Sequence, residues 1–193
     1  MPHFPLFIDL HDLPCLVAGG GAVAVRKIET LLEFGARVTA LDPLPSEALE
    51  KLSRNGYLSL LRRFYAGPED LKGAKIVIAA TGDREANHRV SQDAQVRGIP
   101  VNVADDPEAC TFFFPAIVRR GDLVAGISTS GTCPRFCARL RERLEKEWPP
   151  GWGEALKTLG AERRRLRAAE GSEKTLPLLD KMISRIFGEE NSP

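Results

Sequence analysis

Apolar residues first appear as a short unbroken run, "PCLVA" (14–18), and then switch to helical spacing, with Ala24, Ile28, Leu31 and Leu32 recurring among Arg26, Lys27, Glu29 and Glu33. The run predicts a buried strand and the spaced pattern a helix over 22–34, which Gly35 ends with a left-handed stop. The alternation then repeats. "ARVTALD" (36–42) predicts a second strand, "SEALEKLSRNG" (46–56) a helix with Ser46 as its N-cap, and "LSLLRRF" (58–64) a third strand. "AKIVIAAT" (74–81) is a β-branched strand, the next helix runs from a capping Asp83 to Gly98, and "IPVNVADD" (99–106) is a further strand. Strands that are apolar on both faces and alternate with helices predict an α/β fold, a Rossmann-like doubly wound parallel sheet. Its ligand belongs at the carboxyl ends of the strands.

After Pro107 the rhythm changes. "TFFFPAIVRRGDLVAGISTSG" (111–131) predicts two strands joined by a turn near Arg120–Asp122, with no helix between them. "PRFCARLRERLEKEW" (134–148) follows as an amphipathic helix with Phe136, Leu140, Leu144 and Trp148 on one stripe. "PPGWG" (149–153) breaks it, and two more helical patterns, 154–169 and 175–187, close the chain, the last with Leu176, Leu179, Ile183 and Ile186 as its apolar stripe. The expected organisation is a dinucleotide-binding domain over 1–110, a hairpin-plus-helix unit over 111–148 and a helical tail over 149–193. No internal repeat is visible.

Composition narrows the partners. The 193 residues carry 27 basic and 26 acidic side chains, so nothing favours binding to nucleic acid. No apolar stretch reaches the roughly 20 residues of a membrane helix. The first residues lack the basic and apolar regions of a secretory signal, which makes the cytoplasm the expected compartment. The four cysteines, Cys15, Cys110, Cys133 and Cys137, include no CxxC pair, and Cys133 and Cys137 read as one half-buried helix face rather than as metal ligands.

The candidate chemistry starts at "LVAGGGAVAVRK" (16–27). Gly19-x-Gly21-x-x-Ala24, between a strand and a helix, fits the dinucleotide fingerprint: a glycine for the turn, a glycine for close approach of a diphosphate, and a small residue for helix–strand packing. The backbone of Gly19, Gly21, Ala22 and Val23 then faces the phosphates, helped by the helix dipole. Asp42, with Pro43 after it, ends the second strand 23 residues beyond Gly19 and can bind ribose hydroxyls; a carboxylate there repels a 2′-phosphate and favours NAD over NADP. The other reading of Asp42 is that it only starts the "DPLPS" turn. Thr81, closing the strand at 74–81, joins the cofactor candidates.

Six segments taken together, "FPLFIDL" (4–10), "VAGGGAVAVRK" (17–27), "IAATGDREAN" (78–87), "VNVADDP" (101–107), "FFFPAIV" (112–118) and "ISTSGTCP" (127–134), strongly resemble the precorrin-2 dehydrogenase / sirohydrochlorin ferrochelatase family, in its order and spacing. The resemblance covers residues 3–150 well and the helical tail loosely, and the length suits a stand-alone form of the family's module. It implies NAD-dependent oxidation of the tetrapyrrole precorrin-2 to sirohydrochlorin, in some members insertion of Fe2+ to give siroheme, and a homodimer built largely on the hairpin. By the same match, Asp105 serves dehydrogenation and, as a transient metal-side carboxylate, chelation, and Ser128 lies near the tetrapyrrole. Two positions depart from the family form: Ser130 stands where glycine is usual, and Cys133 where serine is common.

The chemistry suits those residues. Oxidation sends a hydride to the cofactor and a proton elsewhere, so one base at a strand's carboxyl end suffices, and Asp105 is placed for it. A turn-capping role is the bland reading of either aspartate in "DDP". His88, in a helix among charges, reads as part of a solvated face. A polycarboxylate substrate calls for arginines, and Arg119, Arg120, Arg135 and Arg139 are the candidates. Two competing readings are a non-catalytic NAD(H)-binding regulator that kept the fold, and a reductase for an unrelated small molecule, for which neither a Tyr-x-x-x-Lys pair nor a zinc site is present.

Overall fold

The computed structural model describes residues 3–189. The chain divides into two compact units, Leu6–Phe114 and a second made of Pro115 onward with the segment up to Pro5.

In the first unit, strands β1 (Pro14–Ala18), β2 (Arg37–Leu41), β3 (Leu58–Leu61), β4 (Ile76–Ala79) and β5 (Val101–Val103) alternate with helices α1 (Ala22–Glu33), α2 (Glu47–Arg54) and α3 (Arg84–Val96). All strand pairs are parallel, in the order β3-β2-β1-β4-β5. The chain steps outward from β1 to β3, then crosses back to the other side of β1 for β4. That reversal between β1 and β4 opens the crevice in which such sheets bind ligands.

The apolar run of β1 is continuous because both faces are covered. Cys15 and Val17 pack with Ala24, Ile28 and Leu31 of α1, while Leu16 and Ala18 pack with Leu71, Val90 and Ala94 on the opposite face. Burial pushes the Cys15 thiol up to about 11, so this sulfur packs and does not react.

Strands β3 and β5 are shorter than the sequence pattern predicts, and each stops for a physical reason. Beyond Leu61 the guanidinium of Arg63 reaches Asp70 at 2.6 and 2.9 Å, and the Ala66 amide donates to the same carboxylate at 2.8 Å. Arg63 beside it holds the Asp70 carboxyl below its ordinary range. This knot, with a 3₁₀ turn at Pro68–Leu71, takes the place of a helix between β3 and β4, and Leu71 plugs the core beneath. Strand β5 gives way after Val103 to a turn in which Asp105 is left-handed, with φ 59°, and a second 3₁₀ turn, Pro107–Ala109, follows.

In the second unit, β6 (Ala116–Arg120) and β7 (Leu123–Ile127) form an antiparallel hairpin, followed by α4 (Pro134–Glu147), α5 (Trp152–Glu170) and α6 (Ser172–Phe187). Helix α5 starts two residues earlier than the sequence pattern predicts, because Trp152 is held between the rings of Trp148 and Phe187, with centroids 5.8 and 5.4 Å away. Cys133 is the exposed N-cap of α4 and Cys137 is buried in its first turns, so the two do not share one half-buried helix face as the spacing suggests. Among the described residues no helix is long and apolar enough to cross a membrane.

Candidate dinucleotide site

The three glycines do three different jobs. Gly19 has φ +117°, and a Cβ on it would lie 2.2 Å from the carbonyl oxygen of Ala80, so only glycine lets the turn after β1 press against the end of β4. A Cβ on Gly20 would come within 3.0 Å of both the Leu49 and Asp42 side chains. Gly21 is the reverse case: a Cβ there would have nothing within 4 Å. It is the N-cap of α1, in extended backbone, with no side-chain cap and no acidic residue in the first turn.

The first amides of α1, on the exposed Ala22 and Val23, therefore have no side-chain cap and lie at the positive end of a helix dipole. Helices α2 and α3 are capped by Ser46 and Asp83, whose oxygens accept from their own first-turn amides. An anion held by backbone amides fits at α1, and the room above Gly21 is the cradle for it.

Ser46 does more than cap α2. Its hydroxyl accepts from the Leu49 amide and donates to the Gly20 carbonyl at 2.6 Å, pinning the glycine turn from the side. Replacing Ser46 by alanine is expected to cost about 1–2 kcal/mol in denaturant unfolding, the usual loss of a cap. It is also expected to weaken dinucleotide affinity measured by calorimetry, since the turn loses its lateral tie.

At the end of β2, the two carboxylate oxygens of Asp42 are in different settings. Its Oδ1 accepts from the Leu44 amide at 2.8 Å, which is turn chemistry, while Oδ2 has no partner among the described residues. The carboxylate stands beside Gly20, half-buried, with Pro43 next to it. At the end of β4, Thr81 is held by Asn87: its amide and hydroxyl reach Asn87 Oδ1 at 3.0 and 2.7 Å, and Asn87 Nδ2 donates back to the Thr81 carbonyl at 3.1 Å. Asn87 is buried, and the sequence reading missed it. The available signal was its spacing with Val90 and Ala94 on the inward face of α3.

The turn after β5 separates its two aspartates. Asp106 faces inward: Oδ1 accepts from the Ala109 amide at 3.4 Å, and Oδ2 stands 3.1 Å from His88 Nε2 and 3.9 Å from the Arg84 guanidinium. The turn-capping role belongs to Asp106, and His88 is its partner rather than part of a merely solvated face. Asp105 is exposed, has no hydrogen bond or ion pair among the described residues, and sits in the left-handed conformation that aspartate tolerates better than most residues.

The remaining candidates lie in the second unit. Ser128 is exposed after β7, and its Oγ accepts from the amide of Ser130, itself left-handed at φ 51°, which explains how this chain meets a conformation usually left to glycine. Arg120 is engaged by main chain: Nε donates to the Trp148 carbonyl at 3.1 Å and Nη2 to the Glu145 carbonyl at 2.6 Å, at the end of α4. Arg119 donates to the Gly121 carbonyl, Arg135 is exposed in the first turn of α4, and Arg139 stands 3.9 Å from Glu142. Among the described residues, no group of three or more His, Cys, Asp or Glu side chains is gathered to hold a metal ion.

A family model described as "Putative NAD(P)-binding" matches residues 6–116. The siroheme synthase of Methylobacillus flagellatus is 44% identical over 153 residues, covering 79% of this chain and 32% of its own. That of Methylococcus capsulatus is 39% identical over 169 residues, 88% and 35%. The chain thus spans about a third of the length of these relatives. Among solved structures, SirC, precorrin-2 dehydrogenase, superposes with a TM-score of 0.76 at 27% identity, covering 94% of this chain and 89% of that one. The glycine turn at the β1–β4 reversal and the match over 6–116 agree: this chain belongs to that NAD(P)-binding family, with siroheme synthases and a precorrin-2 dehydrogenase among its relatives.

Proposed function

We propose that this protein oxidises precorrin-2 to sirohydrochlorin with NAD+ as acceptor. The observation that carries the reading most directly is the uncapped start of α1 over Gly21, next to a turn that only glycine at position 19 permits. Gly19, Gly21, Ala22 and Val23 hold the diphosphate by backbone, Asp42 with Pro43 takes the adenine-side ribose, and Thr81, fixed by Asn87, borders the crevice from β4. Asp42 is the basis for NAD+ over its 2′-phosphorylated form.

NAD+, held by those backbone amides, would supply the hydride acceptor, and the macrocycle would also give up one proton, so that the products would be sirohydrochlorin, NADH and H+. Asp105 accepts that proton. The substrate's carboxylates fall to Ser128 and to Arg119, Arg135 and Arg139, with Arg120 contributing least because its donors already serve the end of α4. The reading extends to a homodimer built on the β6–β7 hairpin, to a cytoplasmic setting, and to Fe2+ as a second substrate, with Asp105 relaying pyrrole protons as iron enters.

The test is to incubate the purified chain with precorrin-2 and NAD+ and follow the sirohydrochlorin spectrum beside NADH absorbance. Product without NAD+, or NAD+ binding without product, overturns the reading, the second outcome favouring a dinucleotide-binding regulator. A Gly21→Asp variant sharpens it. A Cβ at position 21 has nothing within 4 Å among the described residues and aspartate is a good N-cap, so the fold is expected to keep its stability, while the carboxylate is placed against the diphosphate. NAD+ affinity by calorimetry is expected to fall by about 100-fold or more, roughly 3 kcal/mol.

A further inference from the structure

Lys27 lies in the second turn of α1, below the uncapped helix start, and its half-buried ammonium pairs with no carboxylate among the described residues. Nζ donates to Asn102 Oδ1 at 2.8 Å and stands 4.5 Å from the centroid of the Phe114 ring. Asn102 is the one polar residue of β5, buried, and its amide donates on to the Phe112 carbonyl at 3.0 Å. Three residues further along the same strand and turn comes Asp105. Desolvation, and after it the neighbouring Arg26, lower the Lys27 pKa, while Cys110 and Asp105 pull it back up.

A cation placed among an amide, a ring and a thiol is an expensive arrangement unless its charge is used, because a half-buried ammonium gains little from neutral partners that it would not also gain from water. The turn it supports is wrapped around Cys110, whose sulfur accepts from the Val103 amide at 3.1 Å and lies 3.2 Å from the Asp106 carbonyl oxygen. Lys27 therefore connects the cofactor helix to the strand that leads into the turn of Asp105.

We infer that Lys27 is a positioning residue for the reaction: through Asn102 and the Phe114 ring it holds β5, and with it the turn that carries Asp105, against α1. Its place in the reaction rests on the role given to Asp105 above. The sequence shows Lys27 only as a charged residue on the polar side of an amphipathic helix.

A double-mutant cycle tests it, with Lys27→Met, Lys27→Arg, Asp105→Asn and the Lys27→Met/Asp105→Asn pair. Turnover of precorrin-2 and calorimetric NAD+ affinity are measured on each, with circular dichroism as the check on folding. Lys27→Met is expected to lower kcat about tenfold, within the range of direct side-chain couplings, with NAD+ affinity unchanged. Lys27→Arg keeps a cation, a donor and a group able to stack on Phe114, and is expected to keep most of kcat. In the Asp105→Asn background the Lys27→Met loss is expected to shrink below twofold.

An equal loss in both backgrounds, equal losses for Met and Arg at position 27, or loss of NAD+ binding in Lys27→Met overturns the inference, since each separates Lys27 from the placement of Asp105. Should Lys27→Met not fold, Lys27→Arg and a Lys27→Gln variant carry the same comparison. Full turnover by Asp105→Asn defeats the reading of Asp105 itself. An impaired Asp105→Asn beside an unimpaired Lys27→Met defeats only the role of Lys27.

Discussion

Replacing Gly19 by alanine is expected to cost about 3–4 kcal/mol of unfolding free energy, a large share of a domain's usual stability. Two effects add. At φ +117° an L side chain is strained, and its Cβ would sit 2.2 Å from the Ala80 carbonyl oxygen and 2.5 Å from the carbonyl carbon. The obstacle is main chain at the end of a central strand, so no rotamer relieves it. Either β1 or β4 must move, and they are paired residue for residue from Cys15–Ile76 to Ala18–Ala79. Urea unfolding reads the loss as a lower midpoint, and calorimetry is expected to show NAD+ binding gone at concentrations that saturate the parent. An alanine variant that melts like the parent would falsify the close approach of β1 to β4. Gly21→Asp is the complement: space is open there, so binding falls while the fold stands.

Sequence pattern made the first unit legible because its strands are buried on both faces. A run such as "KIVIAAT" has few other physical readings once Asp83 caps the next helix, and Asp83 does accept from the Glu85 and Ala86 amides. The pattern overran wherever apolar residues continued past the last ladder bond: "LSLLRRF" yields only Leu58–Leu61, because the Arg63–Asp70 pair bends the chain, and periodicity carries no trace of a pair formed across a turn. The same blindness applies in the site. Gly19, Asp42 and Thr81 could be named from position along a motif. Asn87, the second hydrogen bond of Ser46 and the Lys27–Asn102 contact belong to no motif and leave at most a weak trace in spacing, since they are polar contacts that depend on which helix face turns inward and on strand order. Asn102, a lone amide inside an apolar strand, was the most readable of these, because a polar side chain buried in a sheet must find a partner. In "DDP" the family resemblance pointed to Asp105, while the residues themselves allowed a turn-capping role for either aspartate. The fold separates them by turning Asp106 onto Ala109 and His88 and leaving Asp105 outward.

That separation gives the sharpest functional expectation. Asp105→Asn is expected to lower the rate of precorrin-2 oxidation by about 10²–10⁴-fold, the usual contribution of a positioned acid or base, with NAD+ affinity unchanged. Asparagine is the right replacement because it shares aspartate's tolerance of the left-handed region, in which residue 105 sits at φ 59°. Since the carboxylate makes no hydrogen bond or ion pair among the described residues, unfolding should not register the change. Asp106→Asn makes the opposite trade: it weakens the contacts to His88 and the Ala109 amide, lowers stability by about 1 kcal/mol and leaves turnover within a few-fold of the parent. Stopped-flow assays with saturating NAD+, paired with denaturant melts of both variants, read the two effects separately. Were Asp105→Asn to turn over at the parent rate, the proton would have to leave through another group or directly to water, and Asp105 would be a turn residue in an unusual backbone conformation. Were Asp106→Asn the inactive one, the inward carboxylate and His88 would be the working pair.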